Sequence, residues 1–210
     1  KQSENIGQQT WDDDGGGGNG WTRAEYNRTT GGRDMETAIY WKVATSSSET
    51  NPTFTWATGV TGEPMSGTVE VYRGCDTTTP IKQIAYANAL NNASPPNPGV
   101  TLGNTTDAVL VFHGATHDDI SSPAAPTGYT MRGQVWNGTN DDHRNIFAAD
   151  LITPGSAGPY VPPDWQHSTL NSTPEYHTYT VVLQEPILIQ IDDFNTTEKF
   201  NWGNTNITLT

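Results

Sequence analysis

Apolar side chains in this chain recur at every second residue, and that regularity limits the fold more than any other feature. A strand sends successive side chains to opposite faces, so alternation marks a half-buried strand; a helix needs a spacing of three to four. "TAIYWKVA" sets Ile39, Trp41 and Val43 against Tyr40 and Lys42, "TFTW" pairs Phe54 with Trp56, and "GTVEVYRG" pairs Val69 with Val71. "DAVLVFHG" (107–114) is apolar on both faces, as a central strand covered on each side would be. "YTMRGQVW", "NIFAADLI" and "HTYTVVL" continue the series. Only "IKQIAYANAL" (Ile81–Leu90) offers a helical face, through Ile81, Ile84, Ala85 and, at its end, Leu90, and it allows a short helix at most.

Turn-forming clusters separate these runs: "TTGGRD", "SSSETNP", "NNASPPNPG", "SSPAAPTG" and "TPGSAGP". Short strands at this spacing predict an all-β chain, an antiparallel β-sandwich of jelly-roll or Greek-key type over residues 1–183. Its core is expected at Trp41, Val43, Val69, Val71, Val109 and Val111, with Phe54 and Trp56 close by. After Leu183 the texture changes. "QEPILIQIDDF" begins a new alternation, with Ile187, Ile189 and Ile191 on one face, and "NWGNTNITLT" ends in a strand pattern. Residues 184–210 are expected to be a linker and the first strands of a further β domain, or an arm that adds a strand to another copy. The Ile187–Ile189–Ile191 stripe is the expected assembly contact, since an unpaired apolar edge associates unless something pairs it. The opening "KQSENIGQQTW", without Met, is expected of a processed or excised segment.

Composition narrows the partners. Among 210 residues the formal net charge is -13, with ten basic residues in all, so a phosphate-binding surface of clustered Lys and Arg is not expected. Nucleic acid and anionic membranes are poor partners for such a chain, and no stretch approaches the roughly 18 apolar residues of a membrane span. A single cysteine rules out an internal disulfide and a Cys-based zinc cage.

Several segments, in order, resemble a known module. They are "NGWTRAEY" (19–26), "AIYWKVA" (38–44), "NPTFTW" (51–56), "VYRGCDTTTPI" (71–81), "TTDAVLVF" (105–112) and "PTGYTMRG" (126–133). Together they resemble a β-sandwich module of bacteriophage tail and fibre proteins and of some bacterial surface proteins, over roughly Gly20 to Leu183. The resemblance implies a structural role with no assigned chemistry. In that module the Cys75 position tends to hold a small apolar residue, and a strand precedes the Gly-Trp-Thr turn where this chain has "KQSENIGQQTW". The tail, "IQIDDF…NWGNTNITLT", resembles the opening of an immunoglobulin-like repeat.

Candidate chemistry is sparse. Cys75 lies between Gly74 and Asp76. A cysteine nucleophile needs a histidine, a cation or a helix N-terminus to lower its pKa, so Cys75 is expected to fill space at a strand end. In "WDDDGGGGNGW", counting from Asp12, Gly16 stands at position five and Arg23 at twelve, where an EF-hand requires a bidentate glutamate. "HGATHDD" and "NDDHRN" combine His117, Asp118 and Asp119 with Asp141, Asp142 and His143, a set that would suit Ca²⁺ or a transition metal if the two loops met. Solvated acidic loops are the simpler account, and no resident cofactor is expected. Glycoside hydrolysis needs two carboxylates across a cleft, one with a raised pKa. Adjacent aspartates give no such partition, and the strands' main acids are Glu70, Asp107 and Asp150. No Gly-x-Ser-x-Gly elbow occurs.

Trp136, Tyr160 and Trp165 fall in or beside "VWNGTNDDH" and "GPYVPPDWQH", where exposed rings amid amides and carboxylates would make glycan contacts. Sequons at Asn27, Asn92, Asn104, Asn137, Asn171, Asn195 and Asn206 follow from a composition rich in Asn and Thr. These features predict a non-enzymatic structural protein of a phage virion, a tail, fibre or capsid-decoration component working in assembly, surface display and host-surface adhesion. Its expected partners are other virion or surface-structure proteins and copies of itself. The alternatives are an extracellular carbohydrate-binding module or adhesin, which would recognise a host-surface glycan, and a filament subunit joined by strand exchange.

Overall fold

The computed structural model describes residues 20–29, 35–46, 66–90, 94–116, 123–137, 144–166 and 175–184. The fold is all-β, with no helix among the described residues. Strands β1 (Thr22–Thr29) and β2 (Met35–Trp41) form one hairpin, and β4 (Val100–Leu102) pairs with β8 (Gly158–Tyr160) in a short ribbon. Between them stands a five-stranded antiparallel sheet in the order β3 (Ile81–Leu90), β9 (Glu175–Leu183), β5 (Ala108–Thr116), β7 (Arg144–Leu151), β6 (Thr130–Asn137).

The sheet is covered on both faces, which explains the two-sided apolar run of β5. Val109, Val111 and Ala115 join Phe147, Ala149, Tyr176 and Val182 beneath Val100 and Leu102 of the ribbon, with Tyr129 and Trp165. On the other face Ala108, Leu110, Val181 and Leu183 meet Ile39 of the hairpin, Tyr72 and Cys75. Every residue of β9 is buried, as a strand flanked by two neighbours and two layers must be.

Three sequence expectations change. Ile81–Leu90 is a ten-residue strand, not a short helix. It pairs with β9 along its whole length, and a helix there would leave that side of β9 without partners for its backbone groups. Thr68–Tyr72 joins no sheet, and its alternating burial runs the opposite way from expected. Thr68, Glu70 and Tyr72 are the half-buried set, while Val69 and Val71 are 52% and 69% exposed instead of core. Trp41 and Val43 are half-buried, whereas Val109 and Val111 are completely enclosed as expected. Phe54 and Trp56 lie outside the described residues, as do 185–210 with Ile187, Ile189 and Ile191.

Both edge strands of the five-stranded sheet carry a bulge, and each bulge brings a cation to a buried aspartate. The β3–β9 register slips between Ile81 and Gln83, and the intervening Lys82 lies 3.2 Å from the Asp107 carboxylate. The β6–β7 register slips between Met131 and Gly133, and the intervening Arg132 donates to Asp150 at 2.9 Å. Bulges and charges at sheet edges keep an edge from pairing with another chain indiscriminately. Asp107 also accepts from the backbone N–H of Gly103 (2.7 Å) and Asn104 (3.3 Å), so it closes the turn into β5.

Candidate functional site

The densest chemistry among the described residues surrounds Asp150 on β7, where the 68–72 segment crosses the sheet. Asp150 is 2% exposed. Its Oδ2 accepts from Arg132 Nε at 2.9 Å and from the Tyr72 hydroxyl at 3.1 Å. Glu70 stands nearby and accepts from Thr68 Oγ1 at 2.8 Å. Gly133 makes the crossing possible, since a Cβ there would fall 2.6 Å from Glu70 Oε1.

Burial raises the Glu70 pKa, and the charge of Asp150 adds to this against the Thr68 hydrogen bond and Arg132. Burial, with Asp150 beside it, pushes the Tyr72 phenol upward too, so that hydroxyl stays a donor. A glutamate with a raised pKa near a second carboxylate has the elements of acid–base chemistry. The Tyr72 hydroxyl ties the segment to Asp150 of the sheet, which Arg132 also holds, while Thr68 and Glu70 bond each other within the segment. The sequence names Glu70 and Asp150 as strand acids but gives no sign that they share a site, because the bulge that turns Arg132 toward Asp150 depends on the register with β7.

A second polar node lies on the same face. His177 of β9 is fully buried, with Nδ1 2.7 Å from Thr37 Oγ1 and Nε2 3.1 Å from Thr29 Oγ1. Thr37 also bonds the Tyr179 hydroxyl, and Tyr86 presents its ring edge-on to His177 at 5.2 Å. The hairpin therefore meets the sheet through hydroxyls around one imidazole.

Cys75 packs against Ala108, Leu110, Val181 and Leu183, and burial raises its pKa, which disfavours the thiolate. Asp76 accepts from the backbone N–H of Thr78 (2.8 Å) and Thr79 (2.6 Å), and those bonds hold its pKa below the ordinary carboxylate value. The carboxylate next to the thiol thus builds the turn into β3. Cys75→Ala is expected to fold and melt within about 1 kcal/mol of the parent, because it removes one half-buried atom. Urea unfolding checks this, and rapid thiol labelling of the native protein at neutral pH would contradict it.

Of the candidate glycan contacts, Trp165 is enclosed in the core and Tyr160 is half-buried. Trp165 is 0% exposed, with ring centroids of His113 and Phe147 at 5.6 and 6.3 Å, so it offers no surface to a sugar. Tyr160 is half-buried against the same core, its hydroxyl 3.1 Å from that of Tyr129. Trp136 lies on β6, and its side chain is outside the described ones. His117, Asp118, Asp119, Asp141, Asp142 and His143 are also outside the described residues. Thr116 of β5, which precedes the first group, pairs with Arg144 of β7, which follows the second. Among the described residues no group of three or more His, Cys, Asp or Glu side chains could hold a metal ion. Comparison of the chain with family models, with curated proteins and with solved structures finds no match.

Proposed function

We propose that this chain is a non-enzymatic structural component of a phage virion, a β-sandwich module of a tail, fibre or capsid decoration that works in assembly and surface display. The observation that carries the reading is the reversed 68–72 segment. Its Tyr72 hydroxyl anchors inward on Asp150, which Arg132 also holds, and its two valines are held outward at 52% and 69% exposure. A segment whose only task was to cover the sheet would turn its valines in. Outward valines on a rigid support fit a surface made to meet another protein.

Two further points support the proposal. The resemblance carried by "NGWTRAEY", "VYRGCDTTTPI" and "TTDAVLVF" is to a structural module. A net charge of -13 opposes random association, so contacts between copies would be specific ones. Of the two carboxylates closest to catalytic chemistry, Asp150 receives the Tyr72 hydroxyl that anchors the segment, and Glu70 accepts from Thr68 within it.

The test replaces Val69 and Val71 together by serine. At such exposed positions the change should alter stability by no more than about 0.5 kcal/mol. Light scattering after size exclusion is expected to show the parent as an oligomer and the double variant dissociating at concentrations at least tenfold higher, with an unchanged melting curve. A parent that stays monomeric at every concentration would overturn the assembly role. Mass spectrometry of purified particles, with peptides of this chain at structural copy number, checks the virion.

A further inference from the structure

We propose that His177 is an acid-responsive latch that docks the β1–β2 hairpin on the central sheet at neutral pH and releases it at acid pH. This inference rests on the hairpin's seat and is independent of the virion reading. The hairpin's backbone bonds are internal, Thr22 to Thr29 against Trp41 to Met35, and its hold on the sheet is made by side chains. At one end Ile39 packs on the apolar cluster of Ala108, Leu110 and Val181. At the other, Thr29 and Thr37 bracket the two nitrogens of His177, and Thr37 also bonds Tyr179. Gly114 of β5 leaves room for this seat, since a Cβ there would lie 2.7 Å from Met35 Cε and 3.3 Å from Thr37 Cγ2.

The groups around the imidazole do not welcome a positive charge. β1 contributes the Thr29 hydroxyl, β2 the Thr37 hydroxyl, itself bonded to Tyr179 of β9, and β3 the Tyr86 ring. Charged side chains approach from two directions: Glu175 of β9 acts on Tyr86, and Glu25 of β1 acts on Tyr179. Arg28 and Glu36 pair with each other across the hairpin at 3.2 Å. Burial raises the Tyr86 and Tyr179 phenols, Tyr179 to about 12, so both stay neutral at acid pH. At His177 burial prevails, and the pKa falls from 6.5 to about 4.

The sign follows from linkage. With the hairpin docked, the ring resists protonation; with it lifted, the ring faces water and returns toward its ordinary pKa. The open state binds the extra proton, so docking is at full strength above about 6.5 and weakens as pH falls from there toward 4. Within that window each pH unit lowers the docked-to-open ratio by roughly tenfold. The sheet beneath keeps its own ladders, β5 between β7 and β9, which do not run through the hairpin.

Hydrogen exchange on the full chain between pH 7 and 4, corrected for intrinsic rates, tests the latch. Thr22–Thr29 and Met35–Trp41 are expected to lose protection progressively below pH 6.5 while Ala108–Thr116 and Arg144–Leu151 keep theirs. In His177→Gln, which cannot take the charge, hairpin protection should no longer vary with pH. Should that variant fail to fold, the ring's NMR titration in the parent decides, because its midpoint must coincide with loss of hairpin protection. Simultaneous deprotection of hairpin and sheet, a hairpin still protected at pH 4, or an unchanged pH profile in a folded His177→Gln would each overturn the proposal.

Discussion

Val111→Asp is expected to yield no cooperatively folded protein. Val111 is 0% exposed in β5, opposite Thr180 of β9 and Ala149 of β7, inside the cluster that includes Val109, Phe147 and Trp165. The fold shows what a buried carboxylate needs. Asp107 has Lys82 and two backbone N–H donors, and Asp150 has Arg132 and Tyr72. Both cations come from bulges on edge strands, where a long side chain can leave the ladder. Val111 sits on the middle strand of five, facing apolar neighbours. An unpaired buried charge costs several kcal/mol, or else the side chain stays neutral at a similar cost, against a total stability of about 5–15 kcal/mol for an ordinary domain. Val111→Ala, which adds no charge, should fold and lose about 2 kcal/mol. Circular dichroism melts of the two variants check this pair of outcomes. A soluble Val111→Asp protein melting near the parent would mean that β5 is not a central strand.

The contrast between Val111 and Val71 shows where the sequence was legible. Period-two spacing predicts extended backbone in both, and it places β5, β6, β7 and β9 because covered strands carry an apolar signal that survives any choice of neighbour. Which face turns inward is another matter. At 68–72 the inward face is chosen by Arg132 and Asp150, far along the chain, and the resulting anchor holds Val69 and Val71 in water. β3 was obscured for a similar reason. Its alanines and isoleucines suit a helix, and only the need of β9 for a partner on that side makes it a strand. The short β4 and β8 carry too few residues to show a period. The polar sites were the least legible. Asp150 and Arg132 are near in sequence, yet a bulge is defined by its partner strand, and His177 gains meaning only when the hairpin brings Thr29 and Thr37 to its two nitrogens. Cys75 was the exception, because Asp76 followed by threonines and a proline predicts a turn whose side-chain bonds are local, although Gln184 also ties its backbone at Asp76 and Pro80.

Trp165→Ala is expected to destabilise the whole fold by about 3–5 kcal/mol, the usual cost of removing a large aromatic from a core. The residue follows "VPPD" in a stretch without regular structure, a setting that suggests an exposed ring for a ligand. The backbone on either side is tied down instead: Trp165 N–H reaches Pro95 O at 3.3 Å, and Ala124 N–H reaches Gln166 O at 2.7 Å. Between these ties the indole turns onto the sheet and meets His113 and Phe147. Its loss leaves a cavity under two segments held to the rest of the fold by only a few backbone bonds. The indole Nε1 makes no hydrogen bond among the described residues, so Trp165→Phe sacrifices only volume and should cost about 1–2 kcal/mol. For a domain of this size the alanine variant should melt roughly 10 °C below the parent, with phenylalanine in between. Thermal and urea unfolding measure the series. A ligand-stacking tryptophan would behave oppositely, since truncating an exposed ring leaves the melting temperature almost unchanged and removes only binding. An alanine variant melting within about 2 °C of the parent would therefore place the ring at the surface and overturn its role as the keystone between the 94–99 and 160–166 segments and the sheet.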